Sequence, residues 1–194
     1  MGFRNTTNDQ IQSLVTNEQT SYVTITGDGP GAFRSLRVVA NDVPITITDA
    51  NAYGSVKLLT LPASVVNVLG CVVSSITPTT TSAIASTLNA AAVLTWGLGS
   101  AAASNITLAT TMINFCPGSG VTPGAAVASS TINVAGSGTA NYLQTATGTI
   151  LNGTGTAIPV YLNFAVPTNT EIDADATITV DITFDLVVVL AGDL

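Results

Sequence analysis

Residues 176–190 read ATITVDITFDLVVVL, with a large apolar side chain at every even position from Ile178 to Leu190 and Thr177, Thr179, Asp181, Thr183 and Asp185 between them. A period of two over that length predicts a β-strand with one face in a core. A helix would also align Ile178, Ile182 and Leu186, but the β-branched and aromatic content, with threonines opposite, fits a pleated, half-buried surface better. Fully extended, the stretch would reach about 50 Å at ~3.3 Å per residue, longer than strands usually run. A bulge, a bend or a strand serving two sheets is therefore expected. From Val187 onward both faces are apolar, so this end is expected inside a sandwich or beneath a neighbouring subunit, with Val187 and Val189 as contact residues.

The segment before it, Pro159–Val166, puts Val160, Leu162, Phe164 and Val166 on one face. These two patterned segments predict an antiparallel pair joined through 167–175. Asn152-Gly153 supplies the left-handed residues of a type I′ hairpin after a strand ending near Ile150. Further back, Tyr22–Thr26, Val43–Asp49, Ser55–Leu61 and Val65–Val73 read as strands separated by Gly27–Gly31, Ala50–Gly54 and Pro62. Pro44 places its strand at a start or an edge. Thr77–Thr81 reads as a connection and Ile106–Phe115 as a further strand. Ser82–Leu94 suits a short helix behind a Ser82 cap, whereas Ala92–Trp96 suits a strand. The fold class predicted is all-β: an antiparallel β-sandwich, jelly-roll-like, with at most one short helix. Residues 23–194 form its single domain. Residues 1–22, polar and rich in Asn, Thr and Gln, read either as a floppy terminus or as an extended N-terminal arm that orders on a neighbour, with Arg4, Ile11, Leu14 and Val15 as its contact residues.

Composition sets the function classes. Charged residues make up only 8% of the 194, there is no histidine, and 46% of residues are hydrophobic. An ordinary monomer needs charged surface to stay apart from its copies, so a chain this poor in charge is expected to bury surface against partners. All four basic residues, Arg4, Arg34, Arg37 and Lys57, precede residue 58, and the remainder carries six acids and no base. Such a chain is repelled by phosphates, which excludes a nucleic-acid partner. The start MGFRNTTNDQ lacks the apolar core of a signal peptide, and no stretch reaches the ~20 apolar residues that span a bilayer. The expectation is a soluble product made in the cytoplasm, without a membrane partner.

Little in the sequence points to catalysis, and the chain is read as no enzyme. Without histidine there is no histidine triad and no His metal cluster, and Lys57 is the only lysine for a Ser/Lys arrangement. No cofactor is expected. Gly27–Gly31 lacks the spacing of a phosphate loop. Cys71 and Cys116 read as two small buried hydrophobes, with a disulfide as the alternative. The one small-site candidate is Glu171, Asp173 and Asp175, whose alternation can turn three carboxylates to one side for calcium, although the EF-hand glycine and distal glutamate are missing. A solvated loop that blunts edge pairing is the plainer reading. Arg34 and Arg37 suit acids on a neighbouring copy or a solvated rim, and Trp96 suits a core or interface anchor.

Val43–Asp49, Tyr53–Pro62, Val66–Gly70, Val160–Val166 and Ala176–Leu190 together resemble virion structural proteins of tailed phages, especially marine ones, over residues ~40–70 and ~158–190. The resemblance implies a capsid decoration or cement protein on the exterior of a phage head. Its partners would be other copies of itself, a trimer being one such cluster, and a major capsid protein. The alternatives are another virion component (major or minor capsid, head fibre or tail) or a carbohydrate- or surface-binding β-module that uses Trp96, Tyr22, Tyr53, Tyr142 and Tyr161 as a platform.

Overall fold

The structure, a computed structural model, describes residues 15–28, 33–48, 50–63, 65–80, 94–118, 141–142, 149–152, 156–166 and 176–191. Within them lie eleven strands: β1 (Thr16–Asn17), β2 (Val23–Asp28), β3 (Phe33–Ile47), β4 (Tyr53–Leu61), β5 (Val65–Thr80), β6 (Thr95–Gly99), β7 (Cys116–Pro117), β8 (Asn141–Tyr142), β9 (Thr149–Asn152), β10 (Ile158–Ala165) and β11 (Ala176–Ala191). The only helical element among the described residues is a 3₁₀ turn at Thr110–Met112. Two sheets result, both antiparallel. The first runs β1-β4-β10-β6-β7 and the second β2-β3-β11-β5-β8, with β9 also on β5. One apolar cluster takes side chains from both, including Leu58, Leu162 and Phe164 from the first and Leu36, Ile76 and Phe184 from the second. The arrangement is therefore sandwich-like.

The alternation in β11 is realised as predicted. Ile178, Val180, Ile182, Phe184, Leu186 and Val188 are each at most 1% exposed. The strand lies at the centre of the second sheet, hydrogen-bonded to β3 along one side and β5 along the other. Its length is accommodated by bulges rather than by serving two sheets. Against β3 the register shifts between Val180 and Ile182, so Asn41 and Asp42 oppose Asp181 alone. Asp42 takes a left-handed φ of 53° there. Its N–H donates to Asp181 Oδ1 at 2.7 Å, which satisfies the amide that the bulge leaves without a ladder partner.

Both prolines within the strands of the second sheet sit where a ladder is one-sided. The β2 pairing ends at Ala40, so Pro44 faces only β11, and β8 and β9 pair β5 only between Val65 and Val72, leaving Pro78 opposite Val180 alone. A residue without an N–H costs nothing on an unpaired side.

Four expectations are corrected. β10 and β11 do not pair: β10 lies between β4 and β6 in the first sheet, and β11 lies in the second. Alternation identifies a buried face, and two such faces satisfy it by meeting across a core as well as by lying side by side. For the same reason β9 pairs with β5 and not with β10. Residues 77–80 continue β5 instead of forming a connection, because Ile76 and Pro78 keep their alternate places on the inner face. Ile106–Phe115 is not a strand but a looped segment around the 3₁₀ turn, held to the first sheet by the contacts described next. The optional helix falls on 81–93, outside the described residues.

Candidate assembly surface

The outer faces of the two sheets differ in kind. On the first, β10 turns Asn163 outward by its parity, yet the residue is fully buried because residues 100–114 lie over it. Its Oδ1 accepts from Ser55 Oγ at 2.6 Å and from the Ala103 N–H at 3.0 Å. Its Nδ2 donates to the carbonyls of Ala101 at 3.0 Å and Met112 at 2.6 Å. The two carbonyls can only accept, which fixes the amide's orientation. Asn163 is the one buried polar residue among those described; three of its four contacts hold the loop to the sheet, and the fourth, from Ser55, lies within the sheet on the neighbouring β4. Gly99 makes the close approach possible: a Cβ there would come within 2.3 Å of the Met112 and Thr111 carbonyl oxygens. The loop is further closed by the Ala101 N–H to the Thr111 carbonyl and the Ser100 N–H to Asn114 Oδ1.

The outer face of the second sheet is open to solvent at Thr24, Thr26, Arg37, Pro44, Thr46, Val72 and Asp181. Hydroxyls dominate it. One cross-strand row runs Thr24, Val39, Thr183, Ser75 and the next runs Thr26, Arg37, Asp185, Val72. Thr46 and Thr177 face each other with their hydroxyls 3.4 Å apart. Arg37 and Asp185 are direct cross-strand neighbours, opposite charges in a ladder position where they attract. Val72, at 39% exposed, and half-buried Val187 add apolar area beside them.

The predicted contact residues are divided by this geometry. Arg37, Val187 and Val189 share one end of the β3–β11 ladder, where Arg34 stands opposite Val188. Val15, 7% exposed, and Trp96, 3% exposed, belong instead to the apolar cluster. Trp96 lies under Gly118, and its buried Nε1 has no hydrogen-bond partner. Arg4, Ile11 and Leu14 lie outside the described residues, as do Glu171, Asp173 and Asp175. The side chain of Arg34 does too.

Sequence reasoning missed Asn163 and Glu18. Glu18 follows β1 and binds Lys57 Nζ on β4 at 3.0 Å while accepting from the Thr60 hydroxyl. The Thr60 hydrogen bond, aided by Lys57, holds its carboxyl below the usual 4.5. A cleft of about 510 Å³ runs along Val15, Asn17, Thr20, Val23 and Ile25, and one of about 240 Å³ borders Trp96, Ile106, Thr107 and Ile113. Neither is lined by an acid, an amine or a thiol, so neither offers a general acid or base. Among the described residues no three His, Cys, Asp or Glu side chains gather into a metal-binding group, and no helix is long and apolar enough to cross a membrane. Comparisons with protein-family models, with curated proteins and with solved structures each gave no match.

Proposed function

We propose that this chain is a structural protein of a virion, a capsid decoration or cement protein that self-associates, binds the outside of a phage head and reinforces contacts between capsomers of a major capsid protein. The observation that carries this reading is the hydroxyl-rich, charge-poor outer face of the second sheet. Four strands at ~4.8 Å spacing along the length of β3 and β11 present roughly 800 Å², about what one partner buries in an interface of standard size. Such a face loses little by desolvation compared with a charged one, provided its hydroxyls find partners. The first sheet, by contrast, is covered around Asn163 by its own loop.

The strand order supports a jelly-roll-like reading of the sandwich. Pairings nest, β3 with β11, β4 with β10, β5 with β8 and β9, and β6 with β7. That is the pattern of one long antiparallel ribbon, folded back between β6 and β7 and rolled, an architecture that capsid and lectin domains use. The fold alone does not choose between those functions. The burial of Trp96 weighs against a carbohydrate platform, which needs that ring exposed. A net charge of −7 without a basic cluster favours the exterior of a DNA-filled shell over its lining. Many identical weak contacts, joined by symmetry, then raise the cost of parting the shell.

The test is co-sedimentation of the purified chain with tailed-phage heads stripped of outer proteins. Saturable binding at a fixed ratio to capsomers is expected. Deleting residues 1–14, which precede Val15 and β1, is expected to leave thermal unfolding nearly unchanged while weakening attachment. Absence of saturable binding to the heads contradicts the decoration reading, and equal binding by the truncated chain contradicts the role of the arm.

A further inference from the structure

Cys71 and Cys116 are 45 positions apart in sequence, yet they meet across the core. Cys71 lies in β5 opposite Leu186 of the second sheet, and Cys116 lies in β7 opposite Leu98 of the first. They are 0% and 1% exposed, belong to the same apolar cluster and are free thiols. Facing sheets normally stack about 10 Å apart. Here β5 and β7 approach within 8 Å between Cα atoms, which brings the two thiols into each other's neighbourhood. Small residues allow this. Gly70 precedes Cys71, and a Cβ on Gly118, two residues after Cys116, would come within 2.4 Å of the Trp96 ring.

We infer that Cys71 and Cys116 are an oxidisable pair that a small-molecule disulfide converts into a covalent staple between the two sheets. The inference does not depend on the functional reading. In the first step the Cys116 thiolate attacks one sulfur of the reagent, forming a mixed disulfide and releasing one reagent thiolate, which takes up the proton Cys116 lost. In the second, Cys71 gives up its proton, attacks the Cys116 sulfur and releases the other reagent thiol. Two protein thiols are oxidised and one reagent disulfide is reduced to two thiols.

The order of attack follows from the surroundings. The neighbouring Cys116 thiol, together with burial and, least, the charge of Asp185, pushes the Cys71 thiol well up, whereas the neighbouring Cys71 favours the thiolate of Cys116. Cys116 is also the more easily freed. It sits on a two-residue edge strand that pairs only with β6, held by the Phe115 N–H to Leu98 O and the Gly118 N–H to Trp96 O, each at 3.0 Å. Such an edge opens more readily than the central β5. The staple closes a loop of roughly 45 residues, whose loss of freedom in the unfolded chain raises Tm on the order of 10 °C.

The test uses the full chain, purified in reductant and then incubated with oxidised glutathione. The expected product has lost about 2 Da with no glutathione attached. A non-reducing digest should hold a Cys71–Cys116 cross-linked peptide, and Tm should rise by the amount given and fall back with dithiothreitol. The double variant Cys71→Ala, Cys116→Ala should show neither mass change nor Tm response. Two thiols still open to alkylation after denaturation, a persistent glutathione adduct, or cross-links between chains would overturn the pairing. A cross-linked product with no rise in Tm would overturn the stapling.

Discussion

Asn163 shows most clearly how a single side chain organises its surroundings. Replacing it with Ala leaves the Ala101 and Met112 carbonyls without their buried partner, at about 1–3 kcal/mol for each group that water cannot reach, while the Ala103 N–H keeps its bond to Ser55 Oγ. Urea denaturation of Asn163→Ala should show a loss of about 3 kcal/mol, and a loss below about 1 kcal/mol would mean that the loop does not depend on the amide. Glu18 works on a smaller scale. Its carboxyl gives up a proton more easily in the folded chain than in the unfolded one, so its contribution to stability is present above the ordinary carboxylate pKa and fades as pH falls through the lowered folded value. Because the pair with Lys57 is partly exposed, Glu18→Gln should cost at most about 1 kcal/mol at pH 7. The difference between variant and parent should shrink as pH falls through the lowered folded pKa, which unfolding at several pH values checks. A gap that stays constant as the carboxyl becomes protonated would contradict the assignment.

At the scale of the element, β11 carries two separable faces. Phe184 is fully buried between β3 and β5, and Phe184→Ala should cost about 3–5 kcal/mol through lost burial and the cavity left behind. Thr183 points the other way, toward Val39 and Ser75, and Thr183→Ala should stay within about 0.5 kcal/mol in the isolated chain. Similar losses at the two sites, measured by denaturant midpoint, would show that the face assignment is wrong. This strand was legible because seven alternating apolar positions leave one choice of buried face. The partner of β10 was not legible, since the pattern of Val160, Leu162 and Phe164 says which side is covered and nothing about which strand lies alongside. Pro78 misled for a physical reason: proline forbids a ladder only on the side where its N–H would be used. Asn163 did leave a signal, an asparagine between Leu162 and Phe164 in a strand where that residue is disfavoured. A polar side chain kept at such a place points to partners, but the partners, carbonyls at 101 and 112, carry no side-chain signature.

For the whole molecule, the two sheets share one core but not one fate outside it. The first is covered around Asn163 by residues 100–114, and the second offers a broad face of threonine and valine with Arg37, Asp181 and Asp185 among its charges. That asymmetry gives the low charge content of the sequence a location. A chain with 8% charged residues and one open, weakly charged face should associate through that face. Sedimentation equilibrium of the purified protein from micromolar to tens of micromolar concentration tests this most directly. The account predicts a mass that is a fixed multiple of 19.5 kDa, reduced toward the single-chain value when Val187 and Val189 are both replaced by Asp. A mass of 19.5 kDa across the whole range would contradict it.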